Sequence, residues 1–143
     1  GKTAIMVNCN LYSPEGNVLI EDADIGFSDF LEDSSVSMEQ VIYATGVPRL
    51  RLIPAGRATD IGPEYYTSYR MKQFVEELRS RYSDRYVILD APPIGSTADA
   101  RILADLCDQV VIVVPYGLVT EEQVNTAIES VPADKLAGLI FNN

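Results

Sequence analysis

The length and composition of the chain are those of one ordinary globular domain. It has 143 residues, of which 47% are hydrophobic and 22% are charged, values typical of a protein with a single buried core. The formal net charge is -10, and such a surface repels nucleic acid and anionic lipid. No apolar run approaches the ~18 residues that a membrane span needs. We therefore expect one domain over residues 1–143, with no membrane span, no signal peptide and no nucleic-acid partner.

The residue types also limit the chemistry. The chain has no histidine and two cysteines, Cys9 and Cys107, which lack the spacing of a metal site. This excludes Ser-His and Cys-His nucleophiles within the chain and predicts a reduced, cytosolic protein. Any chemistry would then depend on carboxylates, a lysine and a bound metal ion.

The predicted elements alternate along the chain. A first helix is expected from Thr3 to about Tyr12. Short blocks rich in β-branched residues predict buried strands at 17–20, 50–53, 86–89, 110–114 and 136–141. Capping signals at Ser37, Ser96 and Thr120 predict helix starts, and the longest helical pattern covers 63–82. This order predicts an α/β fold with a doubly wound, mostly parallel sheet flanked by helices.

Ligands of such sheets bind at the carboxyl ends of the strands, where this sequence places several polar residues. Asp22 and Asp24 follow the strand at 17–20, Asp90 ends "YVILD", and Asn142 follows the last strand. Two carboxylates one residue apart on an extended segment point to the same side and repel each other unless a cation lies between them. The alternatives are a solvated acidic loop for the first pair, and a turn or helix cap for Asp90.

The opening triplet Gly1-Lys2-Thr3 matches the last three positions of the phosphate-binding loop G-x-x-x-x-G-K-[ST]. At a helix N-terminus, backbone N–H groups favour an anion, Lys2 could reach the β- and γ-phosphates, and the Thr3 hydroxyl could ligate Mg²⁺. The alternative is an exposed lysine at the start of the chain. Together with the carboxylates, the triplet predicts a site for Mg²⁺ and a nucleotide.

The segments "GKT", "VLIEDAD", "YVILDAPP", "VVIVVPYG" and "LAGLIFNN" together resemble the deviant-Walker P-loop family of MinD and ParA type. Within that family the sequence is most similar to the bacterial tyrosine kinases (BY-kinases) of capsular and exopolysaccharide export. The resemblance implies an ATP-dependent tyrosine autokinase domain, using Mg-ATP, in polysaccharide biosynthesis and chain-length control. It also implies a cytoplasmic location at the inner face of the plasma membrane, a membrane-embedded co-polymerase as activator, and a homo-oligomer. A MinD/ParA-type positioning ATPase and a catalytically degenerate scaffold remain alternatives.

The resemblance assigns a role to each candidate residue. Gly1 and Lys2 would bind the phosphates of ATP, and Thr3 would ligate Mg²⁺. Asp22 would lie near the metal and accept the tyrosyl proton, and Asp24 would order the site. Asp90 would hold Mg²⁺ through water, and Asn142 would contact the adenine. The catalytic set is therefore Lys2, Asp22, Asp24 and Asp90.

The sequence departs from the BY-kinase pattern in several places. Glu21 stands where an aliphatic residue is usual, and "DADIGFSDF" is shorter than expected, which predicts an omitted loop near residues 25–26. The strand that should carry the phosphate loop would precede Gly1, so we expect a chain truncated at its N-terminus. The tyrosines at 65, 66 and 69 are predicted to be packing residues and not phosphate acceptors.

Overall fold

The computed structural model describes residues 2–12, 20, 23–57, 62–95 and 98–143. The chain divides into two compact units, residues 1–92 (unit 1) and 93–143 (unit 2). A single domain over residues 1–143 stays a prediction. Among the residues just given, no helix is both long enough and apolar enough to span a bilayer.

Unit 1 contains a four-stranded sheet with the order β2-β3-β1-β4. Its strands are β1 (Thr3–Asn8), β2 (Tyr43–Ala44), β3 (Leu50–Ile53) and β4 (Arg85–Asp90). The strand β1 pairs in parallel with both β3 and β4, whereas β2 pairs antiparallel with β3. The predictions at 50–53 and 86–89 are therefore confirmed as strands of one mostly parallel sheet.

The predicted first helix, from Thr3 to about Tyr12, is wrong. Residues Thr3–Asn8 form the strand β1 instead, and Ile5 and Val7 in it are fully buried. A short aliphatic run fits both a buried helix and a buried parallel strand, and here pairing with a strand on each side satisfies the backbone of β1. The predicted strand at 17–20, apart from Ile20, lies outside the described residues.

Four helices complete unit 1: α1 (Phe27–Glu32), α2 (Met38–Val41), α3 (Glu64–Thr67) and α4 (Tyr69–Arg81). The last two replace the single helix predicted at 63–82. The break falls at Ser68, whose backbone is extended and whose side-chain oxygen accepts a hydrogen bond of 3.0 Å from the Met71 amide. Ser68 thus caps a new helix, as serine commonly does. The predicted cap at Ser37 is confirmed at the start of α2.

Four aromatic side chains pack together in the core of unit 1. Phe74 of α4 contacts Phe27 and Phe30 of α1 edge-on, with ring centroids 5.0 Å and 5.3 Å apart. Tyr66 of α3 lies 6.3 Å from Phe27, and these four rings are almost completely buried. Such edge-to-face pairs add stability beyond the area they bury. The start of α1 is thereby fixed against α3 and α4.

Unit 2 contains two parallel strands and two helices, namely α5 (Asp99–Leu106), β5 (Val110–Pro115), α6 (Glu121–Glu129) and β6 (Leu136–Asn142). The strands predicted at 110–114 and 136–141 are confirmed. Thr120 caps α6 as predicted, accepting a hydrogen bond from the Gln123 amide, whereas Ser96 lies outside the described residues. One cluster of its core consists of Ile112, Val114, Ala127 and Val131, side chains smaller than the aromatic ones of unit 1. Both units are thus α/β, as the sequence predicted.

Candidate functional site

The carboxyl ends of β1 and β4 lie side by side in unit 1. Asn8, the last residue of β1, is in register with Asp90, the last residue of β4. Immediately beyond them, the Cys9 amide donates a hydrogen bond of 2.9 Å to the Asp90 carbonyl. The Tyr66 hydroxyl donates one of 2.8 Å to the Cys9 carbonyl. The backbone at Asp90 is therefore stabilised by hydrogen bonds that lead to β1 and, through Cys9, to α3.

The carboxyl group of Asp90 has an altered acidity. Residues alternate along β4, so that Tyr86, Ile88 and Asp90 are exposed on one side. Although the side chain reaches solvent, desolvation by the surrounding protein raises the pKa of the Asp90 carboxyl above its ordinary value. A raised pKa means that the anion is destabilised here, so a cation bound nearby would gain from neutralising it.

Asn8, in register with Asp90, and Asn10, two residues further along the chain, were not among the predicted site residues. Asn8 is 3% exposed, and its Oδ1 accepts a hydrogen bond of 3.0 Å from the Asn10 amide. The Oδ1 of Asn10 is itself buried and has no hydrogen-bond partner among the residues that the structure describes. A buried polar oxygen in this state is costly. Both residues were missed because the segment was predicted to be a helix. A strand that ends at Asn8 would have placed them at the carboxyl edge of the sheet, where ligands bind.

The end of β3 is tied to the start of α1. The amides of Phe27 and Ser28 donate hydrogen bonds to the carbonyls of Pro54 and Ala55, at 2.8 Å and 2.9 Å. A Cβ atom on Gly26 would lie 2.3 Å from the Pro54 carbonyl oxygen, so only glycine allows this approach. The carboxyl edge of β3 therefore also carries the N-terminus of α1.

The buried carboxylate of Asp29 stabilises this corner, the contact between the end of β3 and the start of α1. One oxygen accepts hydrogen bonds from the amides of Gly26 (2.8 Å) and Arg57 (3.2 Å). The other accepts from the Arg57 side chain, with Nε 3.0 Å away. All of the bonds to Asp29 lie inside the protein, so it is a structural carboxylate and not a candidate ligand for a substrate.

Asp24 lies just before this corner. It is exposed, two residues ahead of Gly26, and the neighbouring Ile25 carbonyl accepts a hydrogen bond of 2.9 Å from the Tyr43 hydroxyl. Since β3 and β4 flank β1 in one parallel sheet, Asp24 and Asp90 both belong to its carboxyl edge. Among the predicted site residues that the structure describes in unit 1, these two lie at the same edge.

Lys2 and Thr3 lie at the opposite edge. Thr3 begins β1 and is in register with Arg85, the first residue of β4, while Asn8 is in register with Asp90. Five residues of strand separate the two ends, or about 17 Å at ~3.3 Å per residue. The Lys2 ammonium lies 5.2 Å from the centroid of the Tyr86 ring. The structure therefore does not place the predicted phosphate-binding pair beside Asp90, because the residues after Thr3 extend as a strand and do not turn into a helix.

Three predicted site residues remain. Gly1 and Asp22 lie outside the described residues. Asn142 ends β6 in unit 2, where its carbonyl accepts a hydrogen bond of 2.8 Å from the Tyr116 amide, and its side chain is exposed.

The three tyrosines at the start of the 63–82 segment differ from one another. Tyr66 is 2% exposed and packs in the core, whereas Tyr69 is 73% exposed. The Tyr65 hydroxyl donates a hydrogen bond to the Glu32 carboxylate. Packing is therefore confirmed for Tyr66, and Tyr69 stands on the surface.

The chemistry of the donor set at the β1–β4 edge fits Mg²⁺. Asp90 offers a carboxylate whose charge is incompletely solvated, and Asn10 has a buried amide oxygen without a partner in the described part of the chain. Mg²⁺ prefers oxygen ligands and commonly takes one or two from the protein, completing its shell with water and phosphate oxygens. The edge could therefore hold a Mg²⁺ ion that also contacts a phosphate.

Comparison with known sequences supports the predicted resemblance. The chain is 30% identical over 145 residues to the tyrosine-protein kinase YwqD of Bacillus subtilis, an alignment that covers 99% of the chain and 60% of YwqD. The chain spans about half the length of other curated relatives that it matches, such as the tyrosine-protein kinase CpsD of Streptococcus agalactiae. No protein-family model matches the chain.

Solved structures give the same result for the fold. The BceF tyrosine kinase domain matches 100% of the chain and 57% of its own length, with a TM-score of 0.81 and 27% identity. MinD of Pyrococcus horikoshii, solved in complex with Mg-ADP, matches 99% of the chain and 57% of its own length, with a TM-score of 0.69 and 18% identity. At that identity MinD shows a shared fold alone. The resemblance to the BY-kinases and to the MinD-like P-loop fold is confirmed.

Proposed function

We propose that the chain is part of a bacterial protein-tyrosine kinase that transfers the γ-phosphoryl group of Mg-ATP to tyrosine, in the biosynthesis of capsular or exopolysaccharide. The observation that carries the proposal is the 30% identity to a tyrosine-protein kinase along 99% of the chain. The position of Asp90 at the carboxyl end of a parallel strand supports it, because this is where α/β sheets bind their ligands.

In this proposal Asp90 and Asn10 would hold Mg²⁺ at the β1–β4 edge. The ion would supply neutralisation of the charge that develops on the phosphate oxygens. The protein contributes a fixed position, because the backbone at Asp90 is tied to Cys9 and through it to Tyr66. Phosphoryl transfer needs little covalent chemistry from the protein, so positioning and charge account for most of the catalysis.

The other roles are proposed from the resemblance. Asp22 would accept the tyrosyl proton, and Asp24, at the same edge as Asp90, would order the site. Gly1, Lys2 and Thr3 would bind the phosphates and Mg²⁺, and Asn142 would contact the adenine. For Lys2 and Thr3 this proposal requires a different arrangement of the amino end of β1, which makes Lys2 the most informative residue to test.

We also propose a cellular setting for this activity. The kinase would act in the cytoplasm at the inner face of the plasma membrane, with a membrane-embedded polysaccharide co-polymerase as its activator. It would assemble with further copies of itself. The net charge of -10 supports recruitment by a protein partner, since such a surface is repelled by anionic lipid.

The test is phosphotyrosine formation by the full-length protein with Mg-ATP, followed by immunoblot and by transfer of labelled phosphate. Asp90→Asn should lower the rate by about 100-fold or more, since a metal-holding carboxylate is lost. Asp84→Asn is the matched control, because Asp84 directly precedes the same strand at its other end and is 79% exposed. Activity in Asp90→Asn equal to that of the control would overturn the proposed site.

Lys2→Met tests whether the phosphates of ATP bind at the Gly1-Lys2-Thr3 segment or only at the edge that carries Asp90. Loss of activity in both Lys2→Met and Asp90→Asn would support the roles carried over from the resemblance. Full activity in Lys2→Met, with loss in Asp90→Asn, would restrict the site to the edge formed by β1 and β4. Release of ADP without phosphotyrosine would favour a positioning ATPase, and absence of Mg-ATP binding would favour a degenerate scaffold.

A further inference from the structure

A cleft at the amino edge of the unit 1 sheet is lined by three arginines. Arg49 lies in the turn before β3, Arg51 is the second residue of β3, and Arg85 begins β4. The cleft has a volume of about 440 Å³ and its wall also includes Thr3 and Thr45. A volume of this size is in the range of small-molecule sites. None of the described residues that line it is a carboxylate.

The arginines share one side of the sheet. Thr3 is in register with Arg85, and Ile5, two residues further along β1, is in register with Arg51. Because side chains alternate along a strand and registered neighbours point the same way, Thr3, Arg51 and Arg85 project from one face. Arg49 precedes Arg51 by two residues and lines the same cleft. The sheet itself thus gathers the positive charges.

The protein neutralises the positive charge of this cleft only in part. Arg49 and Arg51 form no ion pair with any residue that the structure describes, although the chain has 21 Asp and Glu against 11 Lys and Arg. Arg85 forms a long ion pair with Asp84, at 3.7 Å, and its guanidinium carbon lies 4.7 Å from the centroid of the Tyr82 ring. Its Nε is buried without a hydrogen-bond partner in the same described ranges. Two unpaired arginines that line one cleft with a third, weakly paired arginine indicate a bound anion in a protein this acidic.

The turn that carries Arg49 is held in one conformation. Arg49 has φ 67°, the only positive value among the non-glycine residues that the structure describes. Its carbonyl accepts a hydrogen bond of 2.9 Å from the Ala4 amide. The Thr45 hydroxyl donates one of 3.1 Å to the Leu50 carbonyl and accepts one of 3.2 Å from the Val47 amide. A left-handed arginine maintained in this way is a backbone strain typical of binding sites.

We propose that this cleft binds a compact anion with two or more phosphate groups. Guanidinium groups bind phosphate oxygens bidentately, and three converging forks suit a linear oligophosphate better than a single carboxylate. The site lies at the amino edge of the sheet, at the other end of β4 from Asp90. It is therefore separate from the proposed Mg²⁺ site at Asp90, although Thr3, which lines the cleft, also has a role carried over from the resemblance.

The test is calorimetric titration of the protein with inorganic tripolyphosphate in the presence of EDTA, so that no metal-dependent site contributes. Arg51→Gln and Arg49→Asn should each weaken binding about tenfold, since each removes a charge-assisted hydrogen bond. Asparagine is chosen at residue 49 because it tolerates positive φ. Lys72→Gln is the matched control, since it removes one positive charge from the exposed side of α4.

Each outcome decides the proposal. Binding that Arg51→Gln and Arg49→Asn weaken, but Lys72→Gln and Asp90→Asn leave unchanged, supports it. If the intact protein does not bind tripolyphosphate, the cleft is not an anion site and the proposal is wrong. If Lys72→Gln weakens binding as much as the cleft variants do, binding depends on diffuse electrostatic attraction, and the proposal is again wrong. Sedimentation with phosphatidylglycerol vesicles distinguishes the source of the phosphate: binding to vesicles without binding to free tripolyphosphate also contradicts a compact soluble ligand. Because the titration excludes metal, its failure leaves the kinase proposal unaffected.

Discussion

At the scale of single residues, Asp90 combines a cost in stability with a favourable place for a ligand. Desolvation raises the pKa of its carboxyl group, so the folded protein holds the proton more tightly than the unfolded chain does. The contribution of this group to stability is complete below the unfolded pKa of about 3.9. It is lost as the pH rises through the raised folded value. At neutral pH the ionised Asp90 therefore destabilises the fold.

Because the ionised carboxyl of Asp90 destabilises the fold at neutral pH, Asp90→Asn should stabilise it there. At pH 7 the substitution should raise the free energy of unfolding, by less than about 1 kcal/mol because the side chain reaches solvent. At about pH 3.5, below the unfolded pKa, the gain should vanish. Urea unfolding at the two pH values measures it, with Asp84→Asn as the control that should show no gain. A variant that loses stability at pH 7 would show that Asp90 is a structural residue, since functional carboxylates typically trade stability for activity.

At the scale of elements, the sequence predicted most strands of the two units correctly. The prediction was wrong where a segment fitted both a helix and a strand. The strands at 50–53, 86–89, 110–114 and 136–141 are bounded by turn residues and had no competing interpretation. The aliphatic run that begins at Thr3 had the length and composition of either element. Its strand conformation depends on pairing with β3 and β4, which are more than 40 residues away and leave no local signal. The candidate site was affected in the same way: Asp90 was predicted because its strand was clear, and Asn10 was missed because its strand was not.

Arg70 adds a polar link between α1 and α4, and no pattern in the sequence predicts this role. Its guanidinium lies 3.9 Å from the centroid of the Phe30 ring. Both its Nε and its Nη2 donate hydrogen bonds to the Phe30 carbonyl, at 2.9 Å and 2.7 Å. Nη2 also reaches the carbonyls of Asp33 and Val36. One side chain thus satisfies the carbonyl groups at and after the end of α1, where the helix leaves its own acceptors unpaired.

Arg70→Lys should therefore be costly although it keeps the charge. A single ammonium cannot stack on Phe30 and serve three carbonyls at once, so we expect a loss of about 1–3 kcal/mol in the free energy of unfolding. Arg81→Lys on the same helix is the matched control. Arg81 pairs with Glu39 at the surface, and such a pair contributes at most about 1 kcal/mol. Equal losses in the two variants, measured by urea unfolding, would mean that the fork geometry of Arg70 is unimportant.

At the scale of the whole molecule, the excess of negative charge should weaken the fold. The net charge is -10, and between Lys2 and Arg49 the sequence contains no Lys or Arg, so like charges are concentrated in the first third of the chain. Repulsion of this kind destabilises a compact state. The surface ion pairs that salt would also weaken, such as Arg81–Glu77 at 3.9 Å, contribute little. The balance therefore favours stabilisation by salt.

We accordingly predict that the melting temperature at pH 7 rises by a few degrees between about 10 mM and about 300 mM NaCl, as the screening length falls from ~30 Å to below ~10 Å. At about pH 4.5, close to the isoelectric point of about 4.3, the same salt series should change the melting temperature much less, because the net charge is nearly zero there. Differential scanning fluorimetry across both series measures the effect. A melting temperature that falls with salt at pH 7 would show that paired charges outweigh the repulsion. An equal rise at both pH values would point to a salt effect on apolar burial.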